Sequence, residues 1–93
     1  MKTKDIIKER QTTHGEYLPK CDTIQNLKNT IRATEGFWHL SHDQMESLDL
    51  ICTKIGRILY GNPDTIDHWD DIAGYAQLIS QRLVHETTQK DPR

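Results

Sequence analysis

Between Ser41 and Asp64 the chain dictates one helix followed by a forced reversal, and no other stretch narrows the possible folds as much. Met45, Leu48, Cys52, Ile55 and Leu59 recur at steps of three and four, which places them on one side of an α-helix. Ser41-His42-Asp43-Gln44 reads as a capping box opening that helix, with Tyr60 at its end and Gly61 just beyond. Asn62-Pro63-Asp64 then turns the chain, because Pro63 cannot continue a helix, and Asp64 or Thr65 can cap the next one. The spacing predicts an antiparallel second helix whose stripe is Ile66, Trp69, Ala73, Ala76 and Leu83, widened by Ile72 and Ile79 and facing the core. It should fray beyond Val84, where the chain turns polar and ends near Asp91-Pro92.

Upstream, Ile24, Leu27 and Ile31 predict an amphipathic helix over 22–34, capped by Asp22 or Thr23 and stopped by Gly36. Phe37-Trp38-His39-Leu40 is a short aromatic connector. No stretch alternates with period two, so strands are not expected. The fold expected is all-α, a small antiparallel bundle of three main helices with an N-terminal helix or arm. Residues 1–21 form that arm or short helix, 22–86 the bundle and 87–93 a polar tail.

With 93 residues, such a bundle has a marginal core of its own, which makes a homo-oligomer, a dimer, the expected state. The net charge of −2 offers no broad positive field for nucleic acid. No apolar run is long enough to span a bilayer and Met1-Lys2-Thr3-Lys4-Asp5 opens no signal peptide, so the expected location is cytoplasmic, with no membrane partner. Cys21 and Cys52 stand far apart without a CxxC motif, and both are read as structural thiols.

Gly56 and Gly74 interrupt two helices at a cost of about 1 kcal/mol each relative to alanine, which close packing against a neighbour would offset. With Trp69 they form the expected close-packing set. Lys54 and Arg57 on one helix and Asp67 and Asp71 on the next carry opposite signs and can pair across an antiparallel interface. The sharper alternative has Lys54 and Arg57 gripping a phosphate or a partner, with Asp67, Asp71 and Tyr75 beside them. Glu46, Asp49, Asp67 and Asp70 offer two carboxylate pairs at helical spacing that could hold Mg²⁺, although solvated faces carry such pairs often and no cofactor is expected. His14, His39, His42, His68 and His85 lack metal-ligand spacing, and no nucleophile motif or phosphate loop is present, so no catalytic residue is assigned. A helix-turn-helix would present Asp67, Asp70 and Asp71 to DNA phosphates, which repels that partner.

Asn26-Leu27-Lys28, Glu46-Ser47-Leu48-Asp49, Lys54-x-x-Arg57 and Asp67-x-x-x-Asp71-Ile72-Ala73-Gly74-Tyr75-Ala76, together with His14-Gly15-Glu16, resemble a family of small phage and prophage helical proteins of unknown function. The resemblance spans about residues 13–83. Members commonly carry alanine or serine where this chain has Gly56. The Lys-x-x-Arg and Asp-x-x-x-Asp elements are more distantly similar to phage proteins associated with nucleotide modification and to MazG-like pyrophosphohydrolases. That implies a nucleotide-related ancestry. The expectation is therefore a phage-derived, non-enzymatic interaction protein acting on a bacterial host protein or defence pathway. The alternative is a nucleotide-binding or Mg²⁺-dependent pyrophosphohydrolase-like protein.

Overall fold

The computed structural model describes residues 17–89, and in them three α-helices and one short 3-10 segment follow in order. They are α1 Tyr17–Arg32, the 3-10 segment Gly36–His39, α2 His42–Leu59 and α3 Ile66–Gln89. No strand occurs among the described residues, and the protein is all-α as the periodicity requires. The part of the expected arm that precedes Tyr17 lies outside the described residues.

Three helix boundaries differ from the sequence expectation. Among the described residues helix α1 already runs from Tyr17, ahead of the expected Asp22, so Pro19 lies inside it near the first described turn, a position where proline is compatible with a helix. It ends at Arg32, before the expected Thr34. There the Thr34 hydroxyl donates to the Ile31 carbonyl at 2.7 Å, and Trp38 Nε1 donates to the Arg32 carbonyl at 2.9 Å. These bonds satisfy end carbonyls that a further helical turn would otherwise use. Helix α3 continues past Val84 to Gln89. An i,i+4 ion pair between Arg82 and Glu86 at 2.8 Å spans the boundary that polarity alone suggested, and the Thr87 hydroxyl bonds back to the Leu83 carbonyl at 2.9 Å.

The helix-turn-helix unit follows its sequence signals closely. Ser41 is the N-cap of α2, and Gln44 Oε1 accepts the Ser41 N–H at 3.0 Å. A Cβ at Gly61 would stand 2.8 Å from the Arg57 carbonyl oxygen, which explains why the chain leaves α2 through glycine. In the reversal, the Asp64 N–H donates to Asn62 Oδ1 at 2.9 Å and Trp69 Nε1 donates to the Pro63 carbonyl at 2.7 Å. The turn is pinned by its own asparagine and by the first aromatic of α3.

Helix α2 is central, with α1 and α3 packed along its two sides. Both neighbours run antiparallel to it. Thr23 near the start of α1 meets Tyr60 at the end of α2 at 2.8 Å, and Arg32 at the end of α1 meets Asp49. The buried apolar residues among those described are Ile24, Phe37 and Cys52, with Ser47 the buried polar one. The expected α2 seam is only partly covered: Cys52 is buried, while Leu48 and Leu59 are 39% and 64% exposed.

The largest departure concerns α3. Its expected core stripe is turned outward: Ile66, Trp69 and Leu83 are 72%, 54% and 43% exposed, and Ala73 and Ala76 are exposed as well. Of the expected set only Ile72 and Ile79, the two that widen the stripe, are half-buried, and with the half-buried His68, Tyr75 and Arg82 they follow heptad spacing toward α2. That stripe is one residue, about 100°, away from the expected one. Ionic partners on α2, described next, fix this rotation. Among the described residues no helix is long and apolar enough to cross a membrane.

Candidate functional site: an ionic seam beside a bare stripe

Three polar contacts join α2 to α3. Lys54 Nζ meets Asp71 Oδ2 at 2.7 Å, with the lysine side chain only 11% exposed and the aspartate 44%. One and a half turns away, the Ser47 hydroxyl donates to the Tyr75 carbonyl at 3.2 Å. Near the open end, Arg82 binds Asp43 through Nε and NH2, and its NH2 also donates to Ser41 Oγ at 2.9 Å. Arg82 NH1 reaches Glu86 at 2.8 Å. Asp43 precedes Lys54 by eleven residues and Arg82 follows Asp71 by eleven, so both ion pairs belong to one antiparallel register three turns apart.

The electrostatics follow from these contacts. The Arg82 guanidinium, with help from the Ser41 hydroxyl, holds the Asp43 carboxyl down at about 2, and the Asp43 and Glu86 carboxylates raise the Arg82 pKa in return. On the other side of α2, burial pushes the Cys52 thiol up, with the Asp49 charge adding to the effect. That upward shift disfavours the thiolate, the form that acts as a nucleophile.

The sequence candidates separate into those the fold joins and those it does not. Lys54 and Asp71 come together. Arg57 and Asp67 are exposed and make no ion pair among the described residues. Tyr75 contributes its carbonyl to Ser47. Gly56 is buried, and a Cβ there would lie 2.3 Å and 2.6 Å from Cγ1 and Cδ1 of Ile24, so this glycine admits the α1 side chain. Gly74 does not pack closely: nothing lies within 4 Å of where its Cβ would stand. Trp69, expected to close-pack in the core, is instead more than half exposed and held by its indole bond to Pro63.

The four carboxylates considered for Mg²⁺ are not gathered into one site. Asp49 accepts a two-pronged bond from Arg32 at 2.8 and 2.7 Å, while Glu46, Asp67 and Asp70 are exposed. Among the described residues no three His, Cys, Asp or Glu side chains stand together as metal ligands. A shallow open groove of about 340 Å³ runs along α3 past Asp70, Asp71, Gly74, Tyr75, Leu78 and Gln81. Its two carboxylates suit a cationic or amide-bearing group better than a phosphate.

Sequence reasoning missed Arg32 with Asp49 and Arg82 with Asp43. The second pair was accessible in principle, since the register set by Lys54 and Asp71 carries to Asp43 and Arg82 by the same eleven-residue step. The first had no such guide, because no other charged pair set the register of α1 against α2.

The chain belongs to the family described as Domain of unknown function (DUF6378), whose model matches residues 1–83. No curated protein and no solved structure matches it.

Proposed function

We propose that this protein works by binding rather than by catalysis: it is a phage-derived helical protein that pairs with itself and engages a bacterial host protein in the cytoplasm, antagonising a host defence pathway. The observation that carries the reading is the outer stripe of α3, where Ile66, Trp69 and Leu83 stand 72%, 54% and 43% exposed on a domain whose own core is small. An apolar surface of that kind marks an interaction site. The phage origin rests on the resemblance carried by Lys54-x-x-Arg57 and the segment Asp67 to Ala76.

The nucleotide reading asks Lys54 and Arg57 to hold a phosphate, with Mg²⁺ held by the aspartates. Lys54 already spends its charge on Asp71 at 2.7 Å from a site 11% exposed, and a phosphate would have to displace that carboxylate. Thermal denaturation of the full chain against a panel of nucleotides, with and without Mg²⁺, separates the two. A ligand that binds only the folded state must raise the melting temperature. The interaction reading predicts no shift. A shift that Lys54→Ala removes would replace it with the nucleotide reading.

A further inference from the structure

We infer that the outer face of α3 is a self-complementary dimer surface, on which a second copy of this chain packs antiparallel about a two-fold axis passing beside Ala76. The inference rests on the reading of the protein as a self-pairing one and specifies the geometry.

The order of residue sizes along the stripe carries it. From the N-terminal end the stripe reads Ile66, Trp69, Ala73, Ala76, Ser80, Leu83, Thr87, with Ala73, Ala76, Ser80 and Thr87 all exposed, so that Ile66 falls opposite the partner subunit's Thr87 in the pairing below. From Trp69 to Leu83, large residues stand at both ends and small ones in the middle, nearly symmetric about Ala76 in position as well as size. A two-fold interface requires that kind of symmetry, because the same patch must fit itself with its direction reversed. Antiparallel pairing sets Trp69 against the partner subunit's Leu83, Ala73 against the partner subunit's Ser80, and Ala76 against its own equivalent. The three small residues let the two backbones approach closely, and the large residues close the ends.

Charge supports the same occupant. No residue of the stripe is ionisable, whereas the opposite side of the α2 and α3 pair carries the ion pairs of Lys54 with Asp71 and Arg82 with Asp43. At about 100° per residue in antiparallel helices, Leu48 and Leu59 of α2 turn to the same side as the stripe. Both are exposed, at 39% and 64%. The apolar face is therefore two helices wide. The 18 residues from Ile66 to Leu83 rise about 27 Å, and helices pack about 8 to 10 Å apart. The face then spans on the order of 500 Å² in projection, and its side-chain relief brings the accessible area toward the roughly 800 Å² per partner of a stable dimer. Two such hairpins complete a four-helix arrangement in which each α2 seam gains cover from the partner's α3.

Ala76→Cys in the full chain, with Cys21→Ser to remove the half-exposed native thiol, tests this. Mild oxidation should link most of the Ala76→Cys protein into a covalent dimer, since the two positions face each other across the axis at disulfide range. Gln81→Cys, on the groove side of α3, should link at least tenfold less. A dimer by sedimentation that links at Gln81→Cys and not at Ala76→Cys overturns the pairing geometry while leaving self-pairing intact. A chain monomeric at every concentration, its stripe covered by another protein or by residues 1–16, overturns both.

Discussion

On the inner face of α3, Asp71 and Arg82 close ion pairs with α2, and the apolar residues between them, Ile72 and Ile79, are half-buried. On the outer face, one residue out of phase, Trp69, Ala73, Ala76 and Leu83 make a purely uncharged stripe that the described chain leaves exposed. One helix thus carries two heptad stripes, and the more apolar of them is not the one used to fold. The difference teaches that ionic groups chose the rotation of α3: a lysine 11% exposed needs its aspartate, while an alanine-rich stripe in water costs comparatively little.

The contrast can be broken most severely from the inside. Ile72→Asp, which sets a carboxylate between α2 and α3, should destabilise the fold by about 3 kcal/mol and leave the chain largely unfolded by circular dichroism. If it stays folded, the inner face is not the core. Next in size is Asp71→Ala, which strands Lys54 without its partner. A loss of about 2 kcal/mol in urea denaturation is expected, and Lys54→Met, which removes the charge and keeps the stem, should cost clearly less.

The two helical glycines sharpen the comparison through the sign of the effect. Gly74→Ala adds a methyl group where nothing lies within 4 Å and should stabilise by about 1 kcal/mol through helix propensity. Gly56→Ala meets Ile24 and should destabilise by about 1 kcal/mol, the clash outweighing the same propensity gain. Equal signs at the two positions would contradict the packing described for α1.

The smallest effect expected is electrostatic and belongs to Asp43. Its carboxyl, ordinarily near 3.8, is held at about 2 in the folded chain, so its contribution to stability is complete above 3.8 and disappears as the pH falls through 2. Asp43→Asn should therefore melt slightly below wild type at pH 7 and together with it only well below pH 2, at about pH 1. A gap that persists undiminished at about pH 1 would assign the difference to lost hydrogen bonds rather than to the charge.

Much of the fold was legible in the sequence. The period of Met45 to Leu59, the cap at Ser41 and the Asn62-Pro63 reversal are local signals, and local geometry obeys them. The start of α1 differs because Asp22 and Thr23 read as caps, whereas Pro19 is compatible with a first turn and the helix is already formed ahead of them. The facing of α3 was misjudged for a different reason. Periodicity identifies a stripe, but what covers the stripe is a tertiary fact, and the more apolar choice is right only when the core has room for it. At the candidate site, Lys54 and Asp71 were legible because opposite charges flank a short antiparallel turn. Asp43 and Arg82 required carrying that register eleven residues outward. That nothing stands within 4 Å of a Cβ at Gly74 could not be read from sequence, since a glycine in a helix looks the same whether or not a neighbour approaches it.

The account turns on what the outer stripe is for, and sedimentation equilibrium of the full chain beside Ala76→Glu addresses that most directly. Ala76 is exposed, so glutamate there leaves the helix intact, yet in the dimer it would set two like charges against each other across the axis. The account predicts a folded dimer for the wild type at micromolar concentration and a folded monomer for Ala76→Glu, with matching circular dichroism. A wild type that is folded and monomeric at hundreds of micromolar, or a variant that dimerises as tightly as the wild type, would contradict it.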